Sequence, residues 1–171
     1  HLDPIIRNLL LNHWTVFPSG TTSTLYDVAY ANGLWVAVGE SGTILTSTNG
    51  TTWTSRTSGT SENLLGVAYA DGLWVAVGVG GRILTSPNGT SWTSRSSGTT
   101  KNLWGVTYAD GLWVAVGVGG TILTSTTGTT WTSRSSGTTS NLLGVAYANG
   151  LWVATGNSGT ILTSTNGTSW T

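Results

Sequence analysis

The sequence contains no cysteine, so neither a disulfide framework nor a thiolate metal site can form. Charged residues are scarce, at 7% of the chain, and six acidic side chains balance six basic ones. Nucleic acids and anionic membranes attract proteins through a field of positive charge, which this composition does not build. No apolar run approaches the roughly 18 residues of a membrane-spanning helix. We therefore expect neither a nucleic acid nor a membrane as a partner.

Glycine and tryptophan are abundant instead, with 25 glycines and 10 tryptophans among 171 residues. Short strands joined by tight turns use this mixture, whereas long helices do not. The tryptophans also mark an internal repeat, because one column recurs every 39 residues at Trp35, Trp74, Trp113 and Trp152. The repeat units begin at residues 20, 59, 98 and 137. A period near 40 residues is typical of solenoids, propellers and other arrays.

The second unit divides into four short runs of strand-forming residues, Leu64–Ala70, Leu73–Val77, Arg82–Ser86 and Ser91–Arg95. Asp-Gly, Gly-Gly, Asn-Gly and Ser-Gly turns separate the runs. Both faces of the inner strands are apolar, so each unit must be covered on two sides, as a blade is between its neighbours. A β-solenoid is the alternative repeat fold, but its coils are usually shorter and do not need three hairpin turns each. The sequence predicts an all-β fold, a β-propeller built from four 39-residue, four-stranded antiparallel blades per chain.

The turn between the third and fourth strands supports this interpretation. It reads Ser-Thr-Asn-Gly-Thr-Thr-Trp at residues 47–53, and related heptads end at Trp92, Trp131 and Trp170. These heptads resemble the Asp-box, or BNR, motif of sialidase-like and photosystem-assembly-factor-like propellers, although Asn or Thr replaces the usual Asp and the loop is one residue shorter. The resemblance covers nearly the whole chain from Trp14 onward. It implies a fold and says almost nothing about function.

A catalytic function of the sialidase type would need an arginine cluster, a tyrosine nucleophile and acidic partners. Arg56, Arg95 and Arg134 occupy one column at the end of the outer strand, so we expect them around the rim as solvated strand ends. The sequence shows no spacing of a metal site. We therefore predict a protein that is not an enzyme and that uses neither a metal nor a cofactor.

Differences among the four units indicate where a ligand would bind. They cluster in the connection between units, in the start of the first strand and in the turn between the second and third strands. All three places should lie on one face of the ring, where loops carried by a rigid scaffold commonly bind ligands. The other explanation is that exposed loops vary faster. The candidate ligand-binding residues are Trp104, Lys101, Arg82, Glu62, Glu40 and Tyr26. Trp104 replaces a leucine and offers a flat ring for stacking on a sugar or a peptide.

The residues before the first unit have a different pattern. Residues 1–12 contain a short helix or linker, with Asp3 as the N-cap and Pro4 at the first helical position. Residues 13–171 form the repeats, and residues 13–19 match a fourth strand that closes the ring by completing the final blade. An open row of four blades would expose apolar faces at both ends. We therefore expect self-association, with a homodimer closing one ring; a closed four-bladed monomer is the alternative.

Three functions remain open. The chain is predicted to be a non-catalytic binding or interaction module, with glycans or peptides as candidate ligands. It could instead be a recently amplified or engineered scaffold without a ligand, since the units are nearly identical. A glycoside hydrolase of the sialidase type is the remote alternative, because it rests on the family resemblance alone.

Overall fold

The computed structural model describes residues 3–11 and 14–171. Helix α1 spans Pro4–Leu11, as the sequence predicts. The Asp3 carboxylate accepts a hydrogen bond of 2.7 Å from the Ile5 amide and so caps the first turn. Ile5, Ile6 and Leu9 are exposed on this helix. None of the described helices combines the length and the apolar character that crossing a bilayer requires.

The repeats form four antiparallel sheets in chain order. Each begins with a long strand a, continues with strand b and a shorter strand c, and the first three end with a three-residue strand d. The first sheet contains β1 Leu25–Ala31, β2 Leu34–Gly39, β3 Ile44–Ser47 and β4 Thr54–Arg56; the second contains β5 Leu64–Ala70, β6 Leu73–Gly78, β7 Ile83–Ser86 and β8 Thr93–Arg95; the third contains β9 Leu103–Ala109, β10 Leu112–Gly117, β11 Ile122–Ser125 and β12 Thr132–Arg134; the fourth contains β13 Leu142–Ala148, β14 Leu151–Gly156 and β15 Ile161–Ser164.

The fourth sheet therefore has three strands where the others have four. Thr171 nevertheless exchanges two backbone hydrogen bonds with Thr163, of 2.8 and 3.0 Å. Thr54 pairs with Thr46 in the same way at the start of β4. The all-β architecture of four antiparallel blades is confirmed, and the last blade has only the first contact of its outer strand.

Each blade packs one face against the opposite face of the next blade. Between the first two blades, Val36, Val38 and Ile44 contact Trp74 and Ala76. The same contact recurs between the second and third blades and between the third and fourth. The predicted burial of the tryptophan column is confirmed for Trp74, Trp113 and Trp152, each 1% exposed.

The row of blades is open. No extensive contact joins the first and fourth blades among the described residues. Val28 and Tyr30 are therefore exposed on one end, and Ile161 on the other. Trp35 differs from the prediction for its column and is only half-buried, because none of the described residues forms a blade against this side of the first sheet.

Residues 14–19 form neither helix nor strand, and Trp14 and Val16 are exposed. In the fourth blade, Trp170 already occupies the position of the outer-strand tryptophan that a closing strand would assign to Trp14. Its indole Nε1 donates a hydrogen bond of 2.8 Å to the Gly167 carbonyl. The ring-closing strand at residues 13–19 stays a prediction, and His13 lies outside the described residues.

Candidate functional site

The register of the strands brings three variable parts of the repeat to one end of each sheet, here called the candidate face. Leu64 at the start of strand a pairs with Gly78 at the end of strand b. A 3-10 turn, Val79–Gly81, then leads into strand c. The connection from the preceding blade lies beside this turn, because the Val79 amide donates to the Asn63 carbonyl at 2.9 Å. All six candidate residues therefore lie on this face, on three successive blades.

The opposite face carries the heptad turns between strands c and d, whose polar groups form hydrogen bonds within the turn. The Asn88 Oδ1 accepts hydrogen bonds from the Thr90 and Ser91 amides at 3.0 and 2.9 Å. The Trp92 indole donates to the Gly89 carbonyl at 2.9 Å. These bonds make the heptad a local folding element. The third copy has Thr127 in place of asparagine, and its two bonds to the amides are longer, at 3.2 and 3.3 Å.

The arginine column also has a structural contact. The guanidinium Nε atoms of Arg56, Arg95 and Arg134 each donate to a threonine hydroxyl of the neighbouring strand at 2.9 Å. All three side chains are half-buried, which corrects the expectation of solvated strand ends. The strand register explains the contact: Arg95 pairs with Ile83, so its side chain reaches the Thr85 hydroxyl along the same face of the sheet.

One arginine of this column also lines an open cleft on the candidate face. The cleft has a volume of about 540 Å³ and lies between the 3-10 turn of the second blade and the connection to the third. Arg82 and Arg95 line it together with Ser96, Ser97 and Thr99. The sequence pointed to Arg82 because the other blades have threonine there. Nothing in the sequence singled out Arg95, since arginine repeats in the first three blades and so carries no signal of difference.

Lys101 lies in the same connection, and Trp104 follows it at the start of the third blade. Lys101 is exposed, and its side chain lies against the 3-10 turn of the third blade near Gly119. Trp104 is the second residue of β9, and it remains 39% exposed even though Leu103 before it is fully buried. A cationic region and an exposed indole are thus held on one face.

The acidic candidates are used differently. The Glu40 carboxylate accepts a hydrogen bond from the Thr24 amide at 3.0 Å and from the Tyr26 hydroxyl at 3.4 Å. Glu40 and Tyr26 are therefore hydrogen-bonded to each other within the first blade. Glu62 is half-buried in the connection to the second blade. The structure places all six candidates on one face, and it separates the paired Glu40 and Tyr26 from the cationic cleft.

Asp27 is an additional contact that differs between blades. Its carboxylate accepts hydrogen bonds from the Val28 amide at 2.9 Å and from the Val67 amide of the second blade at 3.0 Å. The other blades have glycine at this position. Asp27 therefore joins two blades. Across the part of the chain that the structure describes, no three His, Cys, Asp or Glu side chains come close enough together to hold a metal ion.

The sheets stack face to face in chain order, with their first strands adjacent. This arrangement identifies the fold. The chain is a row of β-propeller blades. No protein-family model and no curated protein matches it. Three solved propellers are similar in structure at low identity, which establishes the fold alone.

A YCF48 bound to D1 peptide superposes with a TM-score of 0.68 and 18% identity over 86% of this chain. YCF48 from Cyanidioschyzon merolae gives 0.70 and 20% over 90%, and the computationally designed Ika8 protein gives 0.68 and 15% over 84%. The matched region covers 51%, 57% and 46% of those three chains, respectively. This chain therefore spans about half the length of each solved propeller.

Proposed function

We propose that this propeller is a non-catalytic interaction module that binds a peptide on its candidate face. The observation that carries the proposal is the cleft lined by Arg82 and Arg95. Lys101 follows the lining residue Thr100 in the chain, and Trp104 is exposed on the same face. A peptide complex of a propeller with the same blade arrangement supports the choice of ligand.

The chemistry of the face favours a peptide with carboxylates. Arg82, Arg95 and Lys101 supply hydrogen-bond donors, and arginine pairs with a carboxylate through two parallel bonds. Of the acids in the second and third blades, Glu62 is half-buried on the candidate face, whereas Asp71 and Asp110 lie on the opposite face, in turns between strands a and b. Trp104 adds an apolar surface on which an aromatic or proline side chain can stack. We therefore assign an acidic peptide with an apolar residue near its carboxylates.

The repeats provide variants that should not disturb the fold. Threonine occupies the position of Arg82 in the other three blades, and leucine occupies that of Trp104 in the second and fourth. Arg82→Thr and Trp104→Leu should each lower affinity about tenfold, the usual effect of losing one charge-assisted hydrogen bond or one stacked aromatic. Asp71→Asn is the matched control on the opposite face, because asparagine replaces it in two other blades.

The measurement is fluorescence anisotropy with labelled synthetic peptides, acidic ones beside the same sequences with lysine for each acid. Selective binding of the acidic set, weakened by both face variants and unchanged by the control, supports the proposal. Equal binding of both sets, or no effect of the face variants, contradicts it. A glycan array on the same samples tests the second ligand class, for which exposed Trp104 is the supporting feature. Silence in both assays favours the ligand-free scaffold.

Two finer assignments belong to this proposal. The turns that end at Trp53, Trp92, Trp131 and Trp170 are Asp-box-like folding elements, supported by the indole bond to a glycine carbonyl in every copy. A second copy of this chain is the other partner, since the row of blades ends in two exposed apolar faces.

A further inference from the structure

The three contacts between blades are copies of one interface, and the two ends of the row are its two halves. The exposed end of the first blade, here called the tryptophan end, carries an apolar cleft of about 390 Å³ lined by Leu25, Val28, Ala37 and Trp53 among others. In the second blade the corresponding surface is covered by the valine face of the first. The exposed face of the fourth blade corresponds to the valine face that covers the next blade inside the row, and it is here called the valine end.

Isoleucine at the start of strand c shows what the valine end lacks. Ile44, Ile83 and Ile122 are fully buried, whereas Ile161 at the same position of the fourth blade is 66% exposed. Ile44 is buried against the tryptophan face of the following blade, next to Leu64 and Ala76. Leu25 and Ala37 are the residues of the first blade at those positions, and they line the cleft of the tryptophan end. Ile161 therefore matches that cleft.

A leucine and a glycine repeat the pattern. Leu34, Leu73 and Leu112 pack directly on Gly89, Gly128 and Gly167 of the following blade. Gly50 of the first blade has only the Trp35 indole near it, and Leu151, the fourth leucine of the column, is exposed. The uncovered glycine and the exposed leucine lie at opposite ends of the row.

The segment before the first blade provides a third match. The Ser19 hydroxyl donates to the Thr21 carbonyl and accepts from the Thr21 amide, as Ser58 does with Thr60. In the first three blades, the following connection places such a turn tightly against the last glycine of the 3-10 turn, Gly42 for example. Gly159 of the fourth blade has no such neighbour within 4 Å. The Ser19–Thr21 turn is thus already folded, and a matching position is uncovered at the valine end.

The residues just before this turn fit the same place. Phe17 lies one repeat length before Arg56, so the two residues hold the same position in the repeat. Arg56 pairs with Ile44 in the first sheet. A continuation of the pattern sets Phe17 opposite Ile161 on the valine end. Phe17 is 50% exposed, so two exposed apolar side chains would cover each other.

We propose that a second copy of this chain occupies both ends, so that the tryptophan end of each copy packs on the valine end of the other. Residues 16–21 of each copy then complete the fourth blade of its partner, next to Thr171, while Trp170 keeps its own place. The contact is head-to-tail, and two identical junctions close the assembly. The superposition on about half of each solved propeller agrees with two copies in one ring.

The junction departs from the inner interfaces at several places, among them Phe17 in place of arginine and Asp27 in place of glycine, and two further changes remove contacts. Thr155 stands where the inner blades have Val38, Val77 and Val116. Thr24 stands where they have Asn63, Asn102 and Asn141. Both changes reduce contact, so we expect the junction to be weaker than an inner interface and to depend on protein concentration.

Cysteine cross-linking tests the register directly, since the chain has no cysteine of its own. Residues that pair across antiparallel strands have Cβ atoms about 4.5–5.5 Å apart, so a small local shift brings them to the roughly 3.5–4.5 Å of a disulfide. The single variants Phe17→Cys and Ile161→Cys should each stay uncrosslinked under mild oxidation, and their mixture should give a covalent dimer of twice 17.7 kDa. Val16→Cys mixed with Ile161→Cys is the matched control, because Val16 faces the other side of the strand.

A covalent dimer in the first mixture and little in the control supports the proposal. No cross-link in the first mixture, or an equal one in the control, overturns it. The double variant Phe17→Cys with Ile161→Cys distinguishes a four-bladed closed monomer, which would give an internal disulfide at the mass of one chain and would also overturn the proposal.

Light scattering on the unmodified chain gives an independent measurement. We expect a mass of twice 17.7 kDa at micromolar concentration, falling toward one chain on dilution. Ile161→Asp should raise the dimer dissociation constant at least about tenfold, because an unpaired carboxylate would be buried at the junction. Ser94→Asp, on an exposed outer strand, is the control. A mass of one chain at every concentration, or an equal effect of the two variants, contradicts the dimer. Peptide binding by such a monomer would leave the proposed peptide-binding function standing, while the proposed second copy as partner would fail.

Discussion

The hexapeptide Leu-Trp-Val-Ala-Val-Gly occurs three times, at residues 34–39, 73–78 and 112–117, yet it has two environments. Trp74 and Trp113 are 1% exposed between blades, whereas Trp35 is half-buried at the end of the row. All three form the same strand with the same tyrosine beside the indole, at ring-centroid distances of 4.7 to 5.0 Å. Local sequence therefore fixes the strand, and the adjacent blade decides how much its tryptophan stabilises the fold.

The largest expected effect is at an inner tryptophan. Trp113→Ala should lower the free energy of unfolding by about 3–5 kcal/mol, because a buried aromatic leaves a cavity that the two blades cannot fill. Urea unfolding followed by circular dichroism measures it. A loss below about 1 kcal/mol would mean that the inner and end tryptophans are equivalent, and the comparison would fail.

The same change at the end of the row should have a smaller effect. In dilute protein Trp35→Ala should lower the free energy of unfolding by about 1–2 kcal/mol, in proportion to the smaller apolar area that Trp35 buries there. At high concentration the loss should grow, because the junction with a second copy buries this residue. Unfolding curves at two protein concentrations measure both values. A loss in dilute protein equal to that of Trp113→Ala would show that the end is already covered in a single chain.

A substitution that adds a hydrogen bond tests the proposed junction between two copies. Asn63, Asn102 and Asn141 each accept a hydrogen bond of 2.9–3.0 Å from the middle amide of the preceding 3-10 turn. Thr24 holds the asparagine position in the first blade. The Ser158 amide of the fourth blade corresponds to the donor amides of the other three turns. Thr24→Asn should strengthen dimerisation about three- to tenfold, the value of one hydrogen bond.

Analytical ultracentrifugation of wild type and variant measures that change. Thr24→Ser is the control, since its side chain is too short to reach across. An unchanged dissociation constant for Thr24→Asn would place the Ser158 amide away from residue 24 of the partner.

The smallest expected effect distinguishes the local stability of a turn from the strength of the junction between two copies. Thr127→Asn restores the shorter turn bonds of the other blades and should raise the free energy of unfolding by about 0.5 kcal/mol. Dimerisation should not change, because the third blade is enclosed on both sides. Asn88→Thr makes the reverse change and should destabilise by a similar amount. If Thr127→Asn altered the dissociation constant, stability and association could not be treated as separate properties.

The sequence alone determined the blades, because period, strand-forming runs and turn residues all depend on neighbours within the unit. The turn at Asn88 and the burial of Trp74 follow from that pattern. The candidate face was equally predictable, since alternating strands bring the same connections to the same end. The six candidates were found because they differ between blades.

Only the tertiary structure decided contacts between groups far apart in the chain. The hydrogen bond from the Val67 amide to Asp27 joins two blades, and Arg95 enters the cleft while it also donates to Thr85. The sequence marks Asp27 as a difference between blades but does not name its partner, and the contact of Arg95 repeats in three blades without any mark. Packing and hydrogen bonding depend on distance in space, which the repeat pattern does not give. The same reason explains the two ends: identical residues are buried or exposed according to whether another blade lies against them, and that is a property of the assembly.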